Sequence, residues 1–191
     1  MAVQYTGYTD KTPERYLLDA GAVYKNFDFD TMVGTLLGAT SGGNQFQLTQ
    51  EKREIEIDGL KGRGKGNTVI VSEEPILTVN LKELTAENLK LAIAGAEIDA
   101  ATNLDYDIIT SKGKIELTDY LDNITYIGKL SGSNKPVIIM IDNALSMEGI
   151  DMTMEDDGEA IVPIQFMGHY DANNIELGTA PFKIYWPKEA V

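Results

Sequence analysis

The chain has no cysteine among its 191 residues, which excludes disulfides and thiolate metal sites. It has one histidine, His169, so no second imidazole or thiolate exists to build a zinc site with it. No stretch approaches the roughly 18 apolar residues of a membrane-spanning helix, and no membrane insertion is expected. The opening MAVQYTGYTDKTPERY lacks both a basic and an apolar segment of the secretory type, so no signal peptide is expected. Cations are scarce: 16 Lys and Arg stand against 30 Asp and Glu, a net charge of −14. That charge favours solubility and disfavours binding to nucleic-acid phosphates. Between Pro136 and Phe182 there is no Lys or Arg at all, whereas Asp142, Glu148, Asp151, Glu155, Asp156, Asp157, Glu159, Asp171 and Glu176 all fall there. No internal repeat, coiled coil or low-complexity linker is present.

What the chain does have is ordinary globular composition, 43% hydrophobic and 24% charged. A length of 191 residues reads as one domain, 1–191, able to bury roughly 70% of its unfolded surface without staples. The organising stretch is Phe46–Leu84. Phe46 and Leu48 alternate with Gln45, Gln47 and Thr49, and Ile55 and Ile57 alternate with Glu54, Glu56 and Asp58. On the return, Leu77, Val79 and Leu81 alternate with Thr78, Asn80 and Lys82. Period two with one apolar face predicts two strands, so the stretch reads as a protruding β-hairpin over about 46–82. At about 3.3 Å per residue its limbs would reach on the order of 40 Å. Pro75 predicts an edge position or a bulge. The tip carries Gly59, Gly62, Gly64 and Gly66 interleaved with Lys61, Arg63 and Lys65. A two-stranded ribbon of that length is marginal alone in water, which points to a second copy of the chain as its cover.

Elsewhere, Pro13 with ERYLLDA predicts a helical turn, and Gly21–Phe27 a strand with Val23 and Phe27 on one side. Asp28–Asn44 is rich in glycine and reads mostly as loop, with a helical turn near Met32–Leu37. A helix is predicted between Leu84 and Gly95, about 85–94: Thr85 caps it, Leu84 and Leu89 staple it, Leu89, Ala92, Ile93 and Ala96 form its apolar face, and Gly95 ends it. Residues 97–113 read as an acidic loop. Ile124–Leu130 is a strand, SGSNK its turn, and Pro136–Ile141 an apolar central strand covered on both faces. Gly149–Glu155 and Glu159–Tyr170 flank EDDGE as a hairpin on Asp157–Gly158. Ala180–Trp186 is the last strand. The sum is mainly β: an antiparallel β-sandwich or open barrel with one short flanking helix and the protruding hairpin.

The candidate chemistry is thin. Gly59-x-x-x-x-Gly64-Lys65 matches part of a phosphate-binding loop, but Gly66 stands where Ser or Thr must hold Mg²⁺, and a strand pattern follows instead of a helix. Glycines in a tip need only the positive φ of a turn. His169 has no nucleophile elbow to serve and reads as structural. Among 30 acids, paired carboxylates carry little information about glycoside hydrolysis. EDDGE lacks the EF-hand glutamate, that position being Ile164. Tyr16, Tyr24, Tyr170, Tyr185 and Trp186 lie in or beside strands, where packing is the ordinary role. No catalytic residue, cofactor or metal is expected.

GATSGGNQF, REIEIDG, GKG and ILTVNLKELTAENLKLAIAGA, in that order, resemble the major tail tube protein of long-tailed bacteriophages. The segments are Gly38–Gly43, Arg53–Gly59, Lys65–Gly66 and Leu81–Ala96, and with GAVYKNFD and APFKIYWP the resemblance covers most of residues 18–187, least of all 97–135. It implies a non-enzymatic virion protein, made in the host cytoplasm, that forms hexameric rings stacked into a hollow tail tube. Expected partners are other copies of itself, a tape-measure protein, tail terminator and tail-tip proteins, with double-stranded DNA passing without specific binding. The site expected to touch another copy is Arg53, Asp58, Gly59, Lys61, Gly62, Arg63, Gly64, Lys65 and Gly66. Two other readings are the inner tube of a contractile tail, bacteriocin or type VI secretion-like machine, and a carbohydrate-binding or hydrolytic β-sandwich.

Overall fold

A computed structural model describes residues 5–154, 156–172 and 178–188. In chain order they form β1 (Leu17–Asp28), β2 (Val33–Leu36), β3 (Thr40–Glu54), β4 (Thr68–Leu81), α1 (Ala86–Ala92), β5 (Ala96–Asp99), β6 (Ile108–Ser111), β7 (Leu121–Leu130), β8 (Val137–Ser146), β9 (Val162–Met167) and β10 (Phe182–Tyr185). Thr12–Arg15 and Leu117–Asp119 are 3-10 turns. The fold is the expected mainly β, antiparallel, sandwich-like one with a single short helix.

β8 ties the two layers together. It pairs with β7 from Val137 to Ala144 on one side and with β10 from Ile138 to Ile141 on the other, giving a layer ordered β2–β1–β7–β8–β10. Its last two residues pair with β9, which begins the layer β8–β9–β4–β3. The change of layer falls at Asn143, whose φ is +49°. The Asn143 side chain donates to the His169 carbonyl at 3.0 Å, and the His169 amide donates to the Asp142 carbonyl at 3.3 Å. His169 Nδ1 lies 3.1 Å from the Asn143 carbonyl, and its ring meets Tyr120 edge-on with centroids 5.1 Å apart. The single histidine therefore pins a corner of the sandwich.

The core lies between the layers. Val23, Ile124 and Ile141 from one layer meet Leu77, Val79, Leu81, Ile164 and Phe166 from the other, all fully or almost fully buried. Each such side chain contributes about 1.5–3 kcal/mol by leaving water. The alternation is visible in β9, where Val162, Ile164 and Phe166 are buried and Pro163, Gln165 and Met167 are not. A smaller cluster of Phe27, Ile138 and Met140 lies on the far face of the first layer, flanked by Tyr24, Ile127 and Tyr185, with Phe29 stacked on Tyr185 at 4.1 Å.

Several expectations are corrected. Val23 and Phe27 do not share a face: Asn26, at φ +51°, breaks the alternation and delivers Phe27 to the second cluster. The glycine-rich segment 28–44 is not loop; it supplies β2 and the start of β3, because Gly38, Gly42 and Gly43 take positive φ at bends that a longer side chain would resist. Residues 97–113 are not simply loop: β5 and β6 form a small antiparallel sheet with Ala96 opposite Ser111. The segment between β8 and β9 has no strand among its described residues, so the hairpin on Asp157–Gly158 does not form, although Asp156–Gly158 still turns; Glu155 and Glu176 lie outside the described residues. The helix is shorter than 85–94 and rotated. Thr85 caps it as expected, accepting from the Asn88 amide at 3.2 Å, but the buried positions are Asn88 and Ala92, with Leu84 and Leu91 packed on the core. Asn88 Nδ2 donates to the Leu37 and Glu83 carbonyls at 2.8 and 3.1 Å, a tertiary role that an apolar pattern cannot reveal.

Candidate assembly arm

The hairpin forms, and Pro75 marks where it leaves the body. β4 from Ile76 to Leu81 is paired on both sides, with β3 and β9; from Thr68 to Pro75 it is paired with β3 alone. The Pro75 carbonyl accepts from Gly168 at 3.1 Å, the last backbone bond of β4 on its β9 side. A residue without an N–H fits where a strand becomes an edge. The bulge lies further out, between Glu51 and Lys52, with Val71 as the extra residue. The free ribbon from Pro75 to Thr68 spans about 23 Å at 3.3 Å per residue, shorter than the expected 40 Å because the other half of each limb is built into the sandwich.

The ribbon is held by short polar links. Gln50 Nε2 donates to Glu73 at 2.6 Å across the strands, and Thr68 Oγ1 donates to Glu54 Oε1 at 2.8 Å. The ladder ends at Glu54–Thr68, so Ile55 and Ile57 are outside β3, contrary to their alternation. Beyond it the Ile55 amide donates to the Asn67 carbonyl at 2.7 Å, and two turns shape the tip: Leu60 N–H to Ile57 O at 3.1 Å and Asn67 N–H to Gly64 O at 3.1 Å.

The expected site residues are brought together here. Arg53 sits at the end of β3 opposite Val69, and Asp58 and Gly59 make the first turn, Gly59 at φ +84°. Gly62 and Gly66 also take positive φ, with open space where a Cβ would stand; Gly64 does not take positive φ and lies close to Asn67 and Leu60. The glycines thus serve turn geometry. β4 begins at Thr68, two residues after Gly66, so a strand and not a helix follows the tip, and among the described residues the phosphate-loop pattern has no partner helix. Lys61, Arg63 and Lys65 are exposed; Arg63 is 87% exposed at its side chain, and its Nε stands 4.0 Å from Glu54 Oε1, the outer limit of an ion pair.

Sequence reasoning missed the apolar part of the arm. Ile55, Ile57, Leu60, Ile70 and Val71 are each about half exposed or more. Ile70 and Val71 both face solvent because the bulge disturbs the alternation that would have turned one away. The outer arm therefore carries uncovered apolar side chains at its bulge and tip, beside the cations of the tip.

The body presents further unpaired backbone. Among the described residues, β2, β3 and β10 each have one edge without a strand partner. The outer face of the second layer carries Gln45, Gln47, Thr49, Thr78, Asn80 and Gln165 together with Ile76, Pro163 and Met167, opposite in alternation to the core residues, and Lys82 follows Asn80 at its end. Of the aromatics weighed from sequence, Tyr24 and Tyr185 belong to the second cluster, while Tyr16, Tyr170 and Trp186 are roughly half exposed. Trp186 borders a surface cleft of about 630 Å³ with Leu130, Asn134 and Lys135. Among the described residues no helix is long and apolar enough to cross a membrane. No protein-family model matches the chain, and a search of curated proteins returns no match.

Proposed function

We propose that this chain is a structural, self-assembling tube protein like those in the tails of long-tailed bacteriophages: a non-enzymatic subunit that closes into hexameric rings and stacks them into a conduit for DNA. The observation that carries the proposal is the arm. A ribbon leaves the sandwich at Pro75 and ends in exposed Ile57, Leu60, Ile70 and Val71 beside three cations. Isolated hairpins are marginal, and uncovered apolar clusters mark interaction surfaces. A copy of the chain is the partner this arrangement fits, because unpaired strand edges at β2, β3 and β10 offer lateral contacts as well. An arm that seats on a neighbour makes a head-to-tail contact, which propagates into filaments.

Charge supports the conduit. A chain of net charge −14 does not hold DNA by phosphate neutralisation. The face of β3, β4 and β9 that carries Gln45, Gln47, Thr49, Thr78 and Gln165 is the surface best suited to line a bore through which DNA slides, its nearest cation, Lys82, being paired with Glu159. Tape-measure, terminator and tail-tip proteins are the further partners, and the virion tail is the location.

Negative-stain microscopy of the purified protein is the test. Tubes or stacked rings are expected as concentration rises. Protein that stays strictly monomeric at every concentration, also with tail-tip and tape-measure components added, refutes the proposal. Deleting Leu60–Lys65 is expected to leave stability within about 0.5 kcal/mol, as for exposed positions generally, while tubes are lost.

A further inference from the structure

The arm's seat can be located, and its location rests on the self-assembly proposed above. Residues 147–161, the connection from β8 to β9, carry no helix or strand where described. Ile150 and Met154 are exposed there, Met154 at 78%, and so are Asp151, Asp156 and Asp157. Glu159 is tied to the body: Lys82 Nζ lies 3.2 Å from its carboxylate, and that hydrogen bond holds the Glu159 carboxyl below the usual carboxylate range. Among the described residues no lysine or arginine pairs with Asp151, Asp156 or Asp157. The surface is therefore apolar and acidic, and the arm tip is apolar and basic.

The two surfaces are at opposite ends of β4. Thr68 adjoins the tip, while Leu81 pairs with Val162 and is followed by Lys82, the partner of Glu159. A 14-residue strand separates them by about 43 Å, so the tip of a copy does not reach its own seat. Only a second copy offers one, and a contact between unlike surfaces at opposite ends is heterologous and repeats.

We infer that the tip of one copy, Lys61, Arg63 and Lys65 around Leu60, docks on the β8–β9 connection of the next copy at Asp151, Met154, Asp156 and Asp157. Leu60 and Met154 supply the apolar centre. The opposed charges set orientation and speed the encounter more than they add affinity.

The absence of native cysteine makes disulfide trapping unambiguous. Chains carrying Leu60→Cys are mixed with chains carrying Met154→Cys under mild oxidation. The expected product is the mixed disulfide, and a chain with both substitutions is expected to give a ladder on non-reducing gels. Leu104→Cys, fully exposed on the β5–β6 loop, replaces Met154→Cys as the control and is expected to give none. Second, reversing Lys61, Arg63 and Lys65 to Glu is expected to raise the concentration needed for assembly about tenfold or more; adding Asp151, Asp156 and Asp157 to Lys is expected to restore it within about threefold. Near-ultraviolet circular dichroism checks that each variant is folded. Tubes that form without the Leu60–Met154 cross-link and without rescue by the double reversal overturn this seat while leaving tube assembly intact. A wild-type chain that never associates overturns the proposed function itself, and the seat with it.

Discussion

Replacing Asn88 with Ala tests how the short helix is held. α1 has only seven residues, far too few to persist by its own hydrogen bonds. Asn88 is 4% exposed, and its amide bridges the carbonyls of Leu37, just after β2, and Glu83, just before the helix. Ala removes both donors. A buried carbonyl left without a partner costs about 1–3 kcal/mol, and the half-buried Glu83 carbonyl adds about 1 kcal/mol. The better helix propensity of Ala returns about 0.6 kcal/mol. The net loss is about 1.4–3.4 kcal/mol, which lowers Tm by about 3–14 °C in a domain of this size. Thermal unfolding of assembly-deficient protein at pH 7 reads this without contributions from neighbours. Asn88→Asp is expected to be worse than Asn88→Ala at pH 7, since a carboxylate faces two carbonyls, and to recover in part once acid returns a proton to donate. Exposed Glu87→Ala is the control, with little change. A shift below about 1 °C for Asn88→Ala, or an Asp variant as stable as wild type at pH 7, would refute the bridging role.

Gly95→Ala is expected to cost about 2 kcal/mol in urea unfolding, because φ is +70° and a Cβ would run into the Lys114 carbonyl; an unchanged midpoint would mean that the backbone there relaxes freely. Lys112 lies 2.7 Å from Asp119, whose hydrogen bond chiefly holds the lysine above its ordinary pKa, while the same bond holds the Asp119 carboxyl below its own. The depressed Asp119 contributes stability above the ordinary value of 3.8 that is lost as pH falls through its lower folded value, and the raised Lys112 contributes below 10.5 and loses its contribution at higher pH. Asp119→Asn is therefore expected to lower Tm at pH 7 and to match wild type in strong acid; a Tm difference that is the same at both pH values refutes the pairing.

The sequence carried the fold where one face of an element was dry. β4, β8 and β9 bury alternate or nearly continuous apolar residues, and their patterns predicted strands that form. It failed where short edge elements have little to bury. Val33 and Leu36 of β2 are mostly exposed, so no alternation marked that strand, and β5 and β6 are four residues each in an acidic setting. The backbone bends at Asn26 and Asn143 were equally invisible, because an asparagine at positive φ has no period. The arm's glycines and cations were legible one by one. Its apolar end was not: Ile55 and Ile57 read as the buried face of a longer strand, and only the early end of the ladder at Glu54 puts them in water.

That early end also bears on how such an arm is tolerated by a lone subunit. A long, flat, apolar edge invites indiscriminate pairing. Here the free part of the ribbon is polar along its length, through Gln50, Glu51, Lys52, Arg53, Glu54, Glu73 and Glu74, and its apolar residues are gathered at the bulge and tip. The ladder is thus guarded against adding strands along its side, while the end that must be recognised stays uncovered. Half-exposed Ile and Leu side chains each retain only part of the 1.5–3 kcal/mol that full burial would give, so a seat that covers several of them gains what the monomer leaves unrealised. Ordering the ribbon opposes that gain. The cross-strand links Gln50–Glu73 and Thr68–Glu54 reduce the opposition by ordering the ribbon before contact. Weakening them with Gln50→Ala and Thr68→Ala is therefore expected to raise the concentration needed for assembly while leaving the sandwich as stable as before. Unchanged assembly in that double variant would mean that the tip alone, and not the preformed ribbon, determines docking.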